Sequence, residues 1–358
     1  MGDLALGIDT GGTFTDGVVI DLKSRDILTA TKQVTKRDNL ALSIDNCFVE
    51  LLKSDRVSAE DIELVSLSTT LATNAIVEGQ GAAVGAVLIG FDPPSDLPTA
   101  HSVKVAGGCT IKGNIKEEIN KEEIKKAVNE MASKVDAFAI CGYLSVRNPV
   151  QEQRVAEIVE SETSYPVVQG HRLSSELGFQ ERAVTAVFNA RLLPLITDLI
   201  DSVRSKLKEY GIDAPLMVVK GDGSLISSKE ARKWPVETSL SGPAASAIGA
   251  RHLAGIDEGI IIDIGGTTTD LALLRDGKLR LSEKGARVGG WLTRVKAAEL
   301  TTIGLGGDSQ IQVDKAGQLS IGPQRVFPLS WIVDQHPYLK KELKNIKEKD
   351  YFPLNHQP

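Results

Sequence analysis

The chain has 358 residues, of which 42% are hydrophobic and 25% charged, with a formal net charge of -6 at pH 7. At roughly 150 residues per domain this length suits about two domains with real cores, and the balanced composition excludes a disordered, collagenous or membrane-embedded chain. The acidic balance leaves no broad basic field, so nucleic acid is not an expected partner.

The N-terminus, Met1-Gly2-Asp3-Leu4, carries no basic region ahead of an apolar run, and Leu6 stands where a myristoylation motif wants Ser or Thr. Neither a signal peptide nor a lipid anchor is expected. Leu4 to Ile8 reads as a short apolar strand, followed by the turn residues Asp9-Thr10-Gly11-Gly12-Thr13 and a second apolar run from Gly17 to Ile20. From Asn39 to Lys53 the apolar residues Leu40, Ile44, Phe48, Leu51 and Leu52 fall on one helical face. Ala83 to Ile89 and Val135 to Cys141 read as buried strands. Between them Asn120, with Glu123 three residues on, marks a helix start for the face Ile124, Ala127, Val128, Met131. A long helix is expected from about Glu181 to Tyr210, kinked at Pro194 and stopped by Gly211. The longest apolar runs, around Ala82 to Phe91 and Gly259 to Ile264, fall short of the roughly 18 to 20 residues of a membrane span, so no membrane partner is expected. Cys47, Cys109 and Cys141 fit neither a disulfide framework nor a zinc knuckle, and reduced thiols in a cytoplasmic protein are expected. The alternation of strand and helix predicts an α/β fold. The boundaries predicted are a first domain over 1–177, a second over 178–330 and a tail over 331–358.

The strongest signal is an internal repeat. Asp9-Thr10-Gly11-Gly12-Thr13-Phe14-Thr15-Asp16 returns 254 residues later as Asp263-Ile264-Gly265-Gly266-Thr267-Thr268-Thr269-Asp270, with six of eight positions identical. Each copy reads as strand, Gly-Gly turn, strand. Such a turn, followed by Thr, offers backbone N–H groups with no side chain in the way plus hydroxyl donors, which suits phosphate oxygens, and the two copies share Thr15 with Thr269 as well as Thr13 with Thr267. Asp9 and Asp263, each ending a strand, can hold magnesium, usually through water. Gly11, Gly12, Thr13, Gly265, Gly266 and Thr267 are therefore the candidate phosphate-binding residues. The five histidines have no ligand spacing, and no metal beyond magnesium is expected.

The duplicated hairpin resembles the ATPase superfamily of actin, sugar kinases and heat-shock chaperones. That resemblance implies two ribonuclease-H-like domains facing each other across a nucleotide cleft that holds ATP and Mg2+. Ser241-Gly242-Pro243-Ala244-Ala245-Ser246-Ala247-Ile248-Gly249-Ala250 is similar to its connecting helix, and Thr302-Ile303-Gly304-Leu305-Gly306-Gly307-Asp308-Ser309 to its adenosine motif, which assigns Gly306 and Gly307 to the nucleotide. Ser309 occupies the third glycine position of a Rossmann turn, and no P-loop occurs.

More narrowly, Ile8 to Asp16, Ser68-Thr69-Thr70-Leu71-Ala72-Thr73-Asn74-Ala75-Ile76-Val77-Glu78-Gly79 and Leu240-Ser241-Gly242-Pro243-Ala244-Ala245 resemble the hydantoinase A and 5-oxoprolinase family, which includes acetone carboxylase subunits. The resemblance implies ATP-dependent opening of a cyclic amide such as a hydantoin or 5-oxoproline or, in the carboxylase branch, phosphorylation of a carbonyl substrate. It makes Thr69, Thr70 and Asn74 substrate candidates, with Asn74 also catalytic. The pair Glu181-Arg182 before Asn189-Ala190 offers Glu181 as a residue that orients water or the γ-phosphate. Thr and Asn satisfying their own backbone, and a charge pair at a helix N-terminus, are the structural alternatives. A companion subunit of the hydantoinase B type and a homo-oligomer are both compatible with the family. Many members carry His-Gly where this chain has Leu67 and Ser68, and they continue well past the adenosine motif, so a short subfamily or a piece of a longer chain is expected. The competing functions are a sugar or acyl kinase and a non-enzymatic ATP-driven switch.

Overall fold

A computed structural model of the chain describes residues 3–36, 39–94, 96–314, 316–327 and 329–345. The elements begin β1 (Leu4–Thr10), β2 (Phe14–Asp21), β3 (Ile27–Val34), α1 (Leu40–Leu51), β4 (Ile62–Thr69) and α2 (Leu71–Glu78). Then come β5 (Val84–Ile89), β6 (His101–Val105), α3 (Lys121–Ala132), β7 (Ala137–Gly142), α4 (Val150–Glu162), β8 (Val167–Gln169) and α5 (Phe179–Glu209). β9 (Leu216–Val219), β10 (Leu225–Ser227), α6 (Ser228–Lys233), α7 (Ser241–Ala254), β11 (Gly259–Ile264) and β12 (Thr269–Arg275) follow. Three two-residue strands, β13 (Lys278–Leu279), β14 (Arg287–Val288) and β15 (Trp291–Leu292), precede β16 (Leu300–Ile303), β17 (Ser309–Val313) and β18 (Leu319–Arg325). The α/β class read from the sequence is the class observed. Of the expected C-terminal tail, residues 346–358 lie outside the described residues.

The contacts group the chain into two units: Met1–Ile261 with Ala272–Glu299, and Ile262–Leu271 with Leu300–Pro358. The first unit holds two sheets. One has the order β10-β9-β4-β1-β2-β3. Within it β1, β2 and β3 form an antiparallel meander, whereas β4 runs parallel to β1 and β9 parallel to β4. The boundary expected near Leu177 needs correcting on this point, because β9 lies beyond it and hydrogen-bonds to β4 of the first sheet.

The other sheet, β6-β5-β7-β8, is wholly parallel. Every residue of β5 and β7 is buried, as continuous apolar strands require when both faces are covered. One face meets α3 and α4 through Ile124, Val128, Val155 and Val159, and α5 joins the other core through Ala183, Val187 and Phe188. The expected helix starts hold. Asn39 Oδ1 accepts from the Leu42 N–H, and Asn120 Oδ1 from the N–H groups of Glu122 and Glu123, relieving unpaired first-turn donors.

α5 runs 31 residues without a break in its assignment at Pro194 and ends just before Gly211, whose φ of +71° suits a residue lacking Cβ. By length and composition it could cross a membrane, but 67% of its apolar window is buried within the first unit. That burial marks a core helix. All three cysteines are free and buried, and burial pushes the Cys47 thiol up to about 11.

Candidate functional site

Both copies of the repeat fold in the same way. In the first unit β1 and β2 pair with Asp9 opposite Asp16, and the Gly11 N–H closes the turn on the Phe14 carbonyl at 2.9 Å. In the second unit the Gly265 N–H closes on the Thr268 carbonyl at 2.8 Å, and 265 and 268 are the same two positions of the repeat. Thr13 and Thr267 are exposed at the turns. Thr15 and Thr269 are buried. The Thr15 hydroxyl lies 2.9 Å from that of Thr35, and the Thr269 hydroxyl donates to the Leu305 carbonyl at 2.7 Å. A hydroxyl committed to protein inside a core holds the hairpin in place and leaves the turn residues for a ligand.

Around the first hairpin the chain gathers three segments distant in sequence. The end of β4 adjoins the end of β1: the Thr10 hydroxyl donates to the Ser68 carbonyl at 3.0 Å, and the Thr70 N–H donates to the Thr10 carbonyl at 3.0 Å. The Thr70 hydroxyl also donates to that carbonyl at 3.2 Å and accepts from Asn74 Nδ2 at 3.2 Å. The Thr69 hydroxyl is buried and accepts from the Leu71 N–H. Thr69 is thus a structural residue at the head of α2, whereas Asn74, one turn along that helix, is exposed.

The third segment is the head of α7, which sequence reasoning treated only as a hinge. Ser241, fully buried, donates its hydroxyl to the Thr69 carbonyl at 3.0 Å and accepts from the Thr69 N–H at 3.3 Å. The Leu240 N–H donates to the Thr73 hydroxyl, and Leu240 takes a φ of +62° to make the entry. A Cβ on Gly242 would stand 3.5 Å from Thr70 Cγ2 and 3.8 Å from Asp9 Oδ1, so this glycine faces the first hairpin. Ser241→Ala should cost about 1–3 kcal/mol of stability by stranding the Thr69 N–H, read as a lowered denaturation midpoint; an unchanged midpoint would mean the α7 head is held by packing alone.

In the second unit Gly306 and Gly307 lie against the second hairpin. The Gly307 and Asp308 N–H groups donate to the carbonyls of Gly265 and Gly266 at 2.9 and 2.8 Å. A Cβ on Gly306 would lie 2.4 Å from the Gly266 carbonyl oxygen and 2.7 Å from the Thr267 nitrogen. The demand for glycine at 306 therefore comes from the protein's own hairpin. Asp308 is held by Arg325, whose Nε donates at 2.9 Å, and Asp270 accepts from the Thr302 hydroxyl at 2.5 Å.

Glu181 is engaged elsewhere. Its Oε2 lies 3.5 Å from Arg294 Nη2, and its carbonyl accepts from Thr185. These contacts do not bring Glu181 to Asp9, Thr70 or Asn74. Arg182 beside it is buried and donates to the Gly142 and Glu176 carbonyls. No group of three or more His, Cys, Asp or Glu is arranged to hold a metal among the described residues.

Both copies of Asp-(Thr/Ile)-Gly-Gly-Thr thus form the same hairpin on an α/β scaffold. The chain belongs to the hydantoinase/oxoprolinase family: the profile of its N-terminal region matches residues 5–163, and the Hydantoinase/oxoprolinase profile matches residues 182–327. It is 29% identical over 357 residues to the caprolactamase subunit alpha of Pseudomonas jessenii, an alignment covering 89% of this chain and 50% of that one. It is 25% identical to the acetophenone carboxylase gamma subunit of Aromatoleum aromaticum, over 89% of this chain and 49% of the relative. The crystal structure of the ATP-dependent caprolactamase from Pseudomonas jessenii superposes with a TM-score of 0.76 at 26% identity, covering 90% of this chain and 51% of the other. The chain spans about half the length of the curated relatives it matches.

Proposed function

We infer that this chain is the ATP-using part of an enzyme, or enzyme subunit, that activates an unreactive carbonyl, and that its substrate is a cyclic amide such as a hydantoin or 5-oxoproline. The observation that carries the reading is the duplicated hairpin, closed by the same Gly N–H bond in both copies with an exposed Thr and a strand-ending Asp at each. With the Gly11 and Gly265 N–H groups closing the turns, the turn backbone at Gly12-Thr13 and at Gly266-Thr267 suits the phosphate oxygens of ATP. Asp9 and Asp263 would hold Mg2+, an ion that keeps several waters and needs only one or two carboxylates, so a cage of three protein ligands is not required. Bound there, Mg2+ would neutralise charge on the phosphates. Two ribonuclease-H-like domains are the arrangement this reading implies.

The chemistry explains why ATP is needed. A lactam carbonyl is a poor electrophile. Transfer of the γ-phosphoryl group to its oxygen breaks the bond to ADP and makes that oxygen a leaving group. Water then adds to the carbon, the ring C–N bond breaks as the nitrogen takes up a proton and leaves, and a second water hydrolyses the resulting acyl phosphate to a carboxylate and inorganic phosphate. Leu67, where many family members carry His, lies in the hydrophobic core and offers no group to bind substrate or move a proton. A ketone substrate, phosphorylated at its carbonyl oxygen, is the second reading, favoured by the similarity to a carboxylase subunit. A companion subunit of the hydantoinase B type fits either.

ATP turnover measured with hydantoins, 5-oxoproline, ketones and hexoses tests the assignment. Stimulation by a cyclic amide supports it, stimulation by a ketone alone moves it to the second reading, and stimulation by hexoses alone refutes it. Asn74, exposed beside Thr70, is the side chain proposed to orient the ring amide. Asn74→Ala should leave ATP affinity intact and lower substrate-stimulated turnover at least tenfold. Equal loss of both would assign Asn74 to nucleotide binding or folding.

A further inference from the structure

The parallel sheet of the first unit carries a cavity at the carboxyl end of its strands. Its order, β6-β5-β7-β8, reverses direction at β5, and in open α/β sheets ligands bind in the crevice outside the carboxyl ends of the strands at such a point. The cavity, of about 370 Å³, lies at that end, beyond β7, lined by Ile111, Tyr143, Leu144, Leu177, Phe179 and Arg182. None of Asp9, Thr70, Asn74 or the hairpin glycines lines it. The volume sits at the small end of ligand pockets, which run from roughly 300 to 1,000 Å³.

Three features mark it as built for a ligand. Its two aromatic side chains are held from outside the lining: Phe91 stacks on Tyr143 with ring centroids 5.8 Å apart and planes 13° apart and lies 4.2 Å from Phe179, yet Tyr143 stays substantially exposed. The backbone is strained, because Leu144 takes a φ of +57° where glycine is usual. Lastly, a buried cation forms part of the wall. Arg182 has two carbonyl partners, no ion pair among the described residues, and an Nε with no hydrogen-bond partner. It stands one turn into α5, which begins at Phe179 without a side-chain cap.

We propose that this cavity binds a small neutral ring bearing a carbonyl group, with the ring against Tyr143 and Phe179 and the carbonyl oxygen turned to Arg182 and the head of α5. The surrounding charges select against an anion. Glu176 and Glu181 share one partner, Arg294, at 3.3 and 3.5 Å, the Glu181–Arg294 pair lies beside Gly178 of the lining, and the Glu152 carboxylate across Gly142 offsets Arg182, so three carboxylates face two guanidinium groups and a carboxylate ligand adds to the excess. A neutral acceptor keeps the attraction of the guanidinium and the helix N-terminus without that repulsion.

Benzamide and benzoate, alike in size and differing in charge, are the probes. Saturation-transfer NMR and titration calorimetry on the full chain without nucleotide should give benzamide binding and at least tenfold weaker benzoate binding. Tyr143→Ala, which removes the stacking face, and Ile111→Trp, which fills the cavity from an exposed position, should each weaken benzamide at least tenfold while the melting temperature stays near that of the parent. Absence of benzamide binding at millimolar concentration overturns the site, as does unchanged affinity in both variants. Benzoate binding as tight as benzamide overturns the ligand class. These measurements involve neither ATP nor turnover, so they stand apart from the carbonyl-activation assignment.

Discussion

Gly306→Ala should weaken ATP binding at least tenfold, about 1.4 kcal/mol, whereas Gly307→Ala should retain it. A methyl group at 306 would press on the Gly266 carbonyl oxygen at 2.4 Å, its carbon at 2.5 Å and the Thr267 nitrogen at 2.7 Å. All three are backbone atoms of the second hairpin, so no rotamer change relieves the clash and the turn itself must move. Displacing packed backbone typically costs about 1–3 kcal/mol, and here the displacement falls on the amides assigned to phosphate. At 307 the nearest atom to an added Cβ is the Gly265 carbonyl oxygen at 3.9 Å, and the N–H that donates to that oxygen survives in alanine. Calorimetric titration with a non-hydrolysable ATP analogue separates the two variants. Equal affinities would detach the second hairpin from the nucleotide, and loss at 307 alone would mean that the ligand, rather than the protein, fills the space above that residue.

The Glu152→Ala variant should lose about 3–5 kcal/mol of stability. Glu152 is wholly buried, and its Oε1 accepts the Gly142 N–H at 2.7 Å while Oε2 accepts the His171 N–H at 2.9 Å and lies 2.5 Å from His171 Nδ1. Truncation strands two backbone donors and a ring nitrogen, each with a desolvation penalty of about 1–3 kcal/mol. Glu152→Gln keeps a carbonyl acceptor for one of the two sites and should lose roughly half as much. Urea unfolding followed by circular dichroism gives both values. A loss under about 1 kcal/mol for alanine would show that water or a neighbour replaces the carboxylate without penalty.

These two predictions rest on different kinds of legibility. The repeat was readable because a Gly-Gly turn between apolar runs is a local instruction: the residues that make the turn also make its closing hydrogen bond. The same holds for the caps Asn39 and Asn120 and for the continuous apolar strands β5 and β7. Thr15 and Thr269 were harder, because a hydroxyl has the same letter whether it faces phosphate or a carbonyl within the core. Ser241 gave no sign of its role beyond sitting near a helix start, since its partners, Thr69 and Ser68, lie more than 170 residues away. Glu152 and His171 carried no spacing signal at all.

The sequence by itself determined the α/β class, the two hairpins, the family and the helices α1, α3 and α5, since each depends on residues within a few turns of one another. Tertiary structure alone decided that β9 joins the first sheet, that Thr69 is structural while Asn74 is exposed, that Gly306 is required by the second hairpin and that Glu181 pairs with Arg294. Those outcomes depend on which distant backbone atoms arrive at a given side chain. A donor, an acceptor or a missing Cβ acquires its meaning only from the partner that long-range packing brings to it.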